Sequence, residues 1–316
     1  MININANAPS VLVVGAGAVG AFYGSVLARA GAQVSVVCRS DFAAVARDGY
    51  SISSFQFGDY DFRPAQVVRS VADHKGAPDY LILATKMLEG EDRAKLIRPA
   101  VGPKTVIVLL QNGIDIEPEI VSAFPENEVL SCLAFVGVSR IAAGRISHQL
   151  FGRLVLGKYP SGPSAAAQHL GKRWEVGGVA CEVVENIVTA RWQKAVWNAT
   201  FNPLSVFGGT LDTTQMLGSR IAEDFVRVSM RETCTVAAAC GHRLPAEAVD
   251  THIADTRAMP PYKTSMALDF EAGRPMEVEA IIGNVVRAGR RAGVAIPTLE
   301  TIYAITKMIE QKFQCL

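Results

Sequence analysis

The stretch SVLVVGAGAVGAFYGSVLARAGAQVSVVCRS, residues 10–40, decides the fold. Ser10 to Val14 reads as a strand, Ala18 to Ala30 as a helix that Gly31 stops, and Gln33 to Cys38 as a second strand. Strand, helix and strand in so short a span make a parallel unit with a crossover helix. Between the first strand and the helix lies G-A-G-A-V-G: Gly15, Ala16, Gly17, Ala18, Val19 and Gly20. The first glycine suits a tight turn, the second admits a pyrophosphate close to the backbone, and the third lets helix and strand approach. Free N–H groups at the helix start then face the phosphates. The same letters elsewhere would be only a glycine-rich turn; in this strand–turn–helix setting they predict a dinucleotide site.

The end of the second strand bears on which dinucleotide. An NAD enzyme usually places a carboxylate there for the ribose 2′-hydroxyl. Here V-V-C-R-S puts Arg39 at that point, and a guanidinium can hold a 2′-phosphate with paired hydrogen bonds. NADP (NADPH) is the expected cofactor, although Asp41, two residues on, supplies a competing carboxylate.

Further strands are predicted at Tyr80 to Ala84, Thr105 to Leu110 and Val129 to Phe135, several almost uniformly apolar, as strands covered on both faces are. A hairpin insertion is expected between Ser51 and Val68, and a β-rich, turn-rich segment from Gly144 to Glu185 with KYPSGPS as an exposed loop. After Glu185 helical patterns take over: Ile187 to Phe207, Ser219 to Cys240, Ala246 to Asp255, Met276 to Ala292 and Pro297 to Lys312. The reading is an α/β protein: residues 1–185 a Rossmann-type doubly wound domain, residues 186–316 an all-helical domain for substrate and catalysis.

Composition agrees with a two-domain enzyme. The 316 residues are 49% hydrophobic and 19% charged, enough for large cores, and a formal net charge of +1 gives no field for nucleic acid or an anionic membrane. No apolar run reaches the length of a membrane span, and MININANAPS has neither a basic flank nor an apolar stretch, so a frayed tail and a cytoplasmic protein are expected. The cysteines, at 38, 132, 181, 234, 240 and 315, include no C-x-x-C pair, and the histidines show no ligand spacing; no metal is expected.

Candidate site residues fall in three places. Lys86, in LILATKM, and Asn112, in VLLQNG, lie at the carboxyl ends of two strands, the edge where open parallel sheets gather ligands, though a helix-start lysine and an Asn-Gly turn read the same way. The helix TARWQKAVWNATFNPLSVFGG carries Lys194, Asn198 and Asn202 at i, i+4 and i+8, one ammonium and two amides along one face of a largely apolar helix. Such groups are costly to bury without partners, and a bound substrate is one way to supply them. Pro203 is expected to kink that helix or end its first half. Downstream, KTSMALDFEAGRPMEVEAIIGNVVRAG offers Ser265 and then Glu277, placed near a helix start by Pro275 in the first turn, with Glu279 a structural residue.

These blocks, in this order and spacing, resemble the ketopantoate reductase (2-dehydropantoate 2-reductase) family across nearly the whole chain: G-A-G-A-V-G, Q-N-G at Gln111 to Gly113, K-x-x-x-N-x-x-x-N-P at Lys194 to Pro203, and S-M-x-x-D with G-R-P-x-E from Ser265 to Glu277. The resemblance implies a Rossmann domain, a helical domain and a site in the cleft between them. It implies Lys194 as the catalytic lysine, Glu277 as its carboxylate partner, Asn198, Asn202 and Ser265 as substrate contacts, Asn112 and Lys86 beside nicotinamide and substrate, and Arg39 on the 2′-phosphate. The family's asparagine three residues before the serine is here Tyr262, which leaves the identity of the 2-keto acid open.

The implied reaction is NADPH-dependent reduction of a 2-keto acid, ketopantoate to pantoate in pantothenate biosynthesis, with Lys194 stabilising and protonating the keto oxygen. Two other readings fit parts of the pattern: a β-hydroxyacid dehydrogenase of the 6-phosphogluconate dehydrogenase type, and a non-catalytic NADPH-binding protein. A homodimer is left open.

Overall fold

The computed structural model describes residues 8–314. The expected frayed tail falls largely on residues 1–7, and Cys315 too lies outside the described residues. Two compact units form. The sheet unit takes the chain up to Lys86, then Asp92–Gln111 and Glu117–Ile187; the helical unit takes Met87–Glu91, Asn112–Ile116 and the chain from Val188 onward.

In the sheet unit the order of elements is β1 (Ser10–Val14), α1 (Ala18–Arg29), β2 (Gln33–Val37), α2 (Phe42–Asp48), β3 (Tyr50–Ser54), β4 (Gly58–Phe62), β5 (Val67–Val68), β6 (Tyr80–Leu83), α3 (Arg93–Ile97), β7 (Val106–Leu110), α4 (Pro118–Ala123), β8 (Val129–Ala142), β9 (Arg145–Lys158), α5 (Ala165–Val176) and β10 (Cys181–Val183). The strands lie in the order β4-β3-β9-β8-β7-β6-β1-β2-β5, with β10 beside β9. From β5 through β2, β1, β6 and β7 to β8 every pairing is parallel, the doubly wound order of dinucleotide-binding sheets. The strand order reverses between β1 and β6, so the ligand crevice of such a sheet opens beyond their carboxyl ends.

Apolar strands build this sheet because both faces are covered. Val11, Val13, Val34 and Val36 share a buried cluster with Phe22 and Val26 of α1 and Leu170 and Trp174 of α5. Each such side chain contributes about 1.5–3 kcal/mol on burial. The expected hairpin is β3 with β4, antiparallel from Tyr50 opposite Phe62. The segment from Gly144 to Glu185 needs correction: it holds a three-turn helix, α5. Its run of three alanines and Gln-His carries only a weak apolar stripe, but Ser164 caps it through Ala167 N–H, and Trp174 Nε1 donates to the Tyr23 carbonyl, docking it on α1.

The helical unit contains α6 (Ile187–Leu204), α7 (Thr213–Met216), α8 (Arg220–Ala239), α9 (Ala248–Ala258), α10 (Ser265–Glu271), a π-helical turn at Glu279–Gly283 continuing into α11 (Asn284–Arg291), and α12 (Pro297–Gln314). Its core joins Trp192, Val196 and Phe201 of α6 to Met230 of α8, Ile253 of α9 and Ile281 and Val285 beyond. Among the described residues no helix is long and apolar enough to cross a membrane. Two helix limits differ from expectation. Pro203 does not end α6 half-way; it sits one residue before the end of the helix. The helix expected from Met276 starts only at Val278, because Arg274 is tied back to α10, its N–H on the Asp269 carbonyl and its Nε on the Asp269 carboxylate. Pro275 therefore lies before the helix rather than in its first turn, and the Glu277 carbonyl accepts the first helical bond, from Ile281 N–H.

His148 of β9 is a buried joint of the sheet unit. Its Nδ1 accepts from the Ser54 hydroxyl at 2.9 Å and its Nε2 donates to the Phe151 carbonyl at 2.9 Å, an arrangement that suits the neutral ring. Burial lowers its pKa below the ordinary 6.5, outweighing the carbonyl bond. The unfolded chain therefore takes up the proton first as pH falls, and stability present above about pH 6.5 should decline below it. Denaturant titrations at pH 7.5 and 5.5 check this: the wild type should lose stability at the lower pH, and His148→Gln should lose less.

Candidate active site

In the sheet unit the glycine loop follows β1. Gly15 has φ +92°, and a Cβ on it would stand 2.6 Å from the Thr85 backbone nitrogen, so only glycine fits this turn. A Cβ on Gly20 would stand 2.5 Å from the Gly15 carbonyl, the close helix–strand approach the motif requires. Gly17 is different: a Cβ there would meet nothing within 4 Å. No protein atom demands glycine at this position, but a pyrophosphate lying on the loop would. Ala18 and Val19 open α1 behind it, and the start of α1 carries no side-chain cap, which leaves its N–H groups for a ligand. The loop thus fits a dinucleotide. Tyr50, which sequence reasoning passed over, holds it in place: its hydroxyl donates to the Ala16 carbonyl at 2.9 Å, and its ring stacks on Phe62.

Arg39 is exposed just past β2 and makes no hydrogen bond or ion pair among the described residues. Asp41, the competing carboxylate, is buried and already engaged. Its Oδ1 accepts from Ser40 Oγ at 2.8 Å and from Arg140, and its Oδ2 accepts from Gly144 N–H at 3.1 Å.

Behind the neighbouring strand ends runs a second network missed in the sequence. Arg93, only 4% exposed, sends Nε and Nη2 to the Glu119 carboxylate at 2.9 and 2.5 Å and Nη1 to Gln111 Oε1 at 3.1 Å. Gln111 in turn donates Nε2 to the Thr85 carbonyl at 2.7 Å. The network joins the ends of β6 and β7, the residues just before Lys86 and Asn112. Lys86 itself is half-buried. Nothing in the motif letters marks an arginine ten residues past a strand as part of this frame.

In the helical unit, Lys194 donates from Nζ to Asn112 Oδ1 at 2.9 Å, which unites the lysine of α6 with the Q-N-G block. Asn112 is held for this by its neighbours: Arg191 Nη1 donates to the Gly113 carbonyl at 2.8 Å and Asn284 Nδ2 to the Ile114 carbonyl at 2.6 Å. Asn198 is half-buried one turn along α6. Asn202 follows, 2% exposed, and its Oδ1 is buried without a hydrogen-bond partner among the described residues. Leaving such an acceptor dry costs about 1–3 kcal/mol, which a donor on a bound ligand would recover.

Ser265 is exposed at the start of α10. A buried relay fixes it relative to α6: Thr264 Oγ1 pairs with Ser205 Oγ at 2.7 Å, and Ser205 Oγ donates to the Asn202 carbonyl at 2.6 Å. Tyr262 is pinned by its backbone to Thr213, its ring 6.5 Å from Trp197. Burial raises its phenol pKa, so it remains a neutral donor. Glu277, 9% exposed, accepts from Met87 N–H at 2.9 Å. Glu279 is structural: burial alone would raise its pKa, but Arg287, Lys307 and Tyr303 surround it and lower it.

The family model for ketopantoate reductase PanE/ApbA matches residues 11–161, and that for the ketopantoate reductase C-terminal region matches residues 186–310. The chain belongs to the ketopantoate reductase family. It is therefore an oxidoreductase, and the 6-phosphogluconate dehydrogenase-type reading is set aside. A 2-dehydropantoate 2-reductase from a Nostoc species is 30% identical over 94% of both chains. The crystal structure of a 2-dehydropantoate 2-reductase from Methylococcus capsulatus is 55% identical with a TM-score of 0.91, covering 96% of this chain and 97% of that one. A reductase of the same description from Geobacter metallireducens is 30% identical with a TM-score of 0.89, covering 95% and 99%.

The Arg93 frame is open to a direct test. Arg93→Met should cost about 2–3 kcal/mol in denaturant unfolding, since Glu119 and Gln111 lose a buried charged partner. Stability within 0.5 kcal/mol of wild type, on the scale of ordinary surface changes, would contradict the role given to Arg93.

Proposed function

We propose that this chain reduces a small 2-keto acid, 2-dehydropantoate in preference to others, to the 2-hydroxy acid with NADPH, and so serves pantothenate biosynthesis. The observation that carries the reading is the Lys194–Asn112 hydrogen bond on the amide face of α6. The partner of this half-buried ammonium comes from a distant motif of the same family.

Gly15, Ala16, Gly17, Ala18, Val19 and Gly20 would hold the pyrophosphate, with Arg39 on the 2′-phosphate and Lys86 and Asn112 toward the nicotinamide. When bound, the reduced nicotinamide supplies the hydride. This chain's residues do the rest. Lys194 stabilises the negative charge that grows on the keto oxygen and delivers the proton there, its Nζ oriented by Asn112. Ser265 and Asn198 bind the carboxylate end, and Glu277, fixed by Met87, orients Lys194 or takes a substrate hydroxyl; these roles rest on the family resemblance. Asn202 favours a hydroxylated substrate, since a keto group and a carboxylate only accept, whereas the orphaned Oδ1 needs a donor such as the hydroxyl of 2-dehydropantoate. Holding the keto acid in one orientation is itself catalysis by positioning.

Loss of NADPH absorbance against a panel of 2-keto acids tests the reading. Turnover should be fastest with 2-dehydropantoate and slower with its analogue lacking the hydroxyl. Lys194→Ala should lower kcat by about 10²- to 10⁴-fold with folding intact. An active Lys194→Ala variant would remove the mechanism, and a wild type inert toward the whole panel would leave a non-catalytic NADPH-binding protein as the better reading. For the cofactor, Arg39→Ala should raise KM for NADPH by about 10- to 100-fold and leave NADH nearly unchanged. Equal effects on both would count against Arg39 as the phosphate reader.

A further inference from the structure

Arg140 is remote from every motif in the chain, near the end of β8, yet its guanidinium stands at the carboxyl edge of β2 beside Ser40 and Asp41. One nitrogen, Nη1, serves both neighbours: Ser40 Oγ at 2.8 Å and Asp41 Oδ1. Its Nε and Nη2 make no hydrogen bond among the described residues, and the side chain is 39% exposed. Arg39 lies next to this pair in sequence, its own guanidinium without a hydrogen bond or ion pair among the described residues. A third arginine, Arg69, follows β5, the strand paired with β2, and rests on the Phe42 ring at 4.3 Å. Arg39, Arg69 and Arg140 against Asp41 leave this edge with an excess of positive charge.

The position of Asp41 makes the arrangement informative. A carboxylate just past the second strand is the group that selects a ribose 2′-hydroxyl and repels a 2′-phosphate. Here the Arg140 ion pair, the Ser40 hydroxyl and Gly144 N–H occupy both oxygens and keep the side chain buried. A paired carboxylate accepts poorly from a ribose and no longer repels a phosphate. The same guanidinium that neutralises it keeps two nitrogens for an anion beside Ser40.

We propose that Arg140 is a second specificity-determining residue for NADPH: it donates to the 2′-phosphate alongside Arg39 and masks Asp41, the carboxylate that would otherwise favour NADH. This rests on the reading of Arg39 as a phosphate contact. A merely structural Arg140, holding the turn at Gly144, would affect both cofactors alike.

The test is binding of NADPH and NADH, by calorimetry or by nicotinamide fluorescence, to wild type, Arg140→Ala, Arg140→Lys and the double variant Arg140→Ala/Asp41→Ala, each checked for an intact thermal transition. The wild type should favour NADPH. Arg140→Ala should weaken NADPH by about 10- to 100-fold, the loss of a charge-assisted contact, while NADH binding stays level or tightens as Asp41 is released. Arg140→Lys should fall between. The double variant should recover part of the NADPH affinity and return NADH to the wild-type value. If NADPH and NADH weaken equally in Arg140→Ala, or neither changes, the proposal is overturned while the Arg39 reading stands. If the wild type binds both cofactors equally, the NADPH reading itself fails, and the role of Arg140 fails with it.

Discussion

Parallel pairing of β1 with both β2 and β6 is the constraint from which the cofactor side of this protein follows. In a parallel ladder all the strands run the same way, so their carboxyl ends arrive together at one edge. The glycine loop after β1, Arg39 after β2, Thr85 and Lys86 after β6 and Gln111 after β7 therefore share that edge without any side chain having to reach far. The ladder survives because apolar strands are covered on both faces, and its edge is stiffened from behind by the Arg93–Gln111–Thr85 chain and by Tyr50 beneath the loop.

The helical unit meets a different difficulty. It must keep an ammonium and two amides on a helix whose other faces are packed. Lys194 is accommodated by Asn112, which the Gly113 and Ile114 carbonyls fix in place through Arg191 and Asn284. Asn202 Oδ1 is an acceptor without a donor among the described residues, deep inside and beside the Ser205–Thr264 relay. A buried acceptor without a donor is unusual beside a well-formed hydrogen-bond relay, and a substrate hydroxyl is the donor that the proposed reaction would offer.

Electrostatics at the β2 edge show how local letters can mislead. Asp41 looks like an NAD-type acid two residues out of place. In the folded chain it is consumed by Arg140, almost a hundred residues away in sequence, so the field at the edge is set by the arginines and not by the acid.

By itself the sequence determined the doubly wound sheet, the glycine loop, Arg39 at the strand end and the polar stripe of α6, because each depends on residues close together in the chain: period, turn chemistry and helix spacing are local. It also displayed Ser265 and Glu277, though with a helix start two residues too early, since the tie from Arg274 to Asp269 that delays the helix is not written in any period. The helix α5 was hidden for a similar reason, its stability coming from docking on α1 more than from its own pattern. Only the tertiary structure decided that Asn112 partners Lys194, that Arg93 braces the strand ends and that Arg140 pairs with Asp41. Each of these joins residues tens to about a hundred positions apart, and burial fixes their partners in a way that no local propensity can encode.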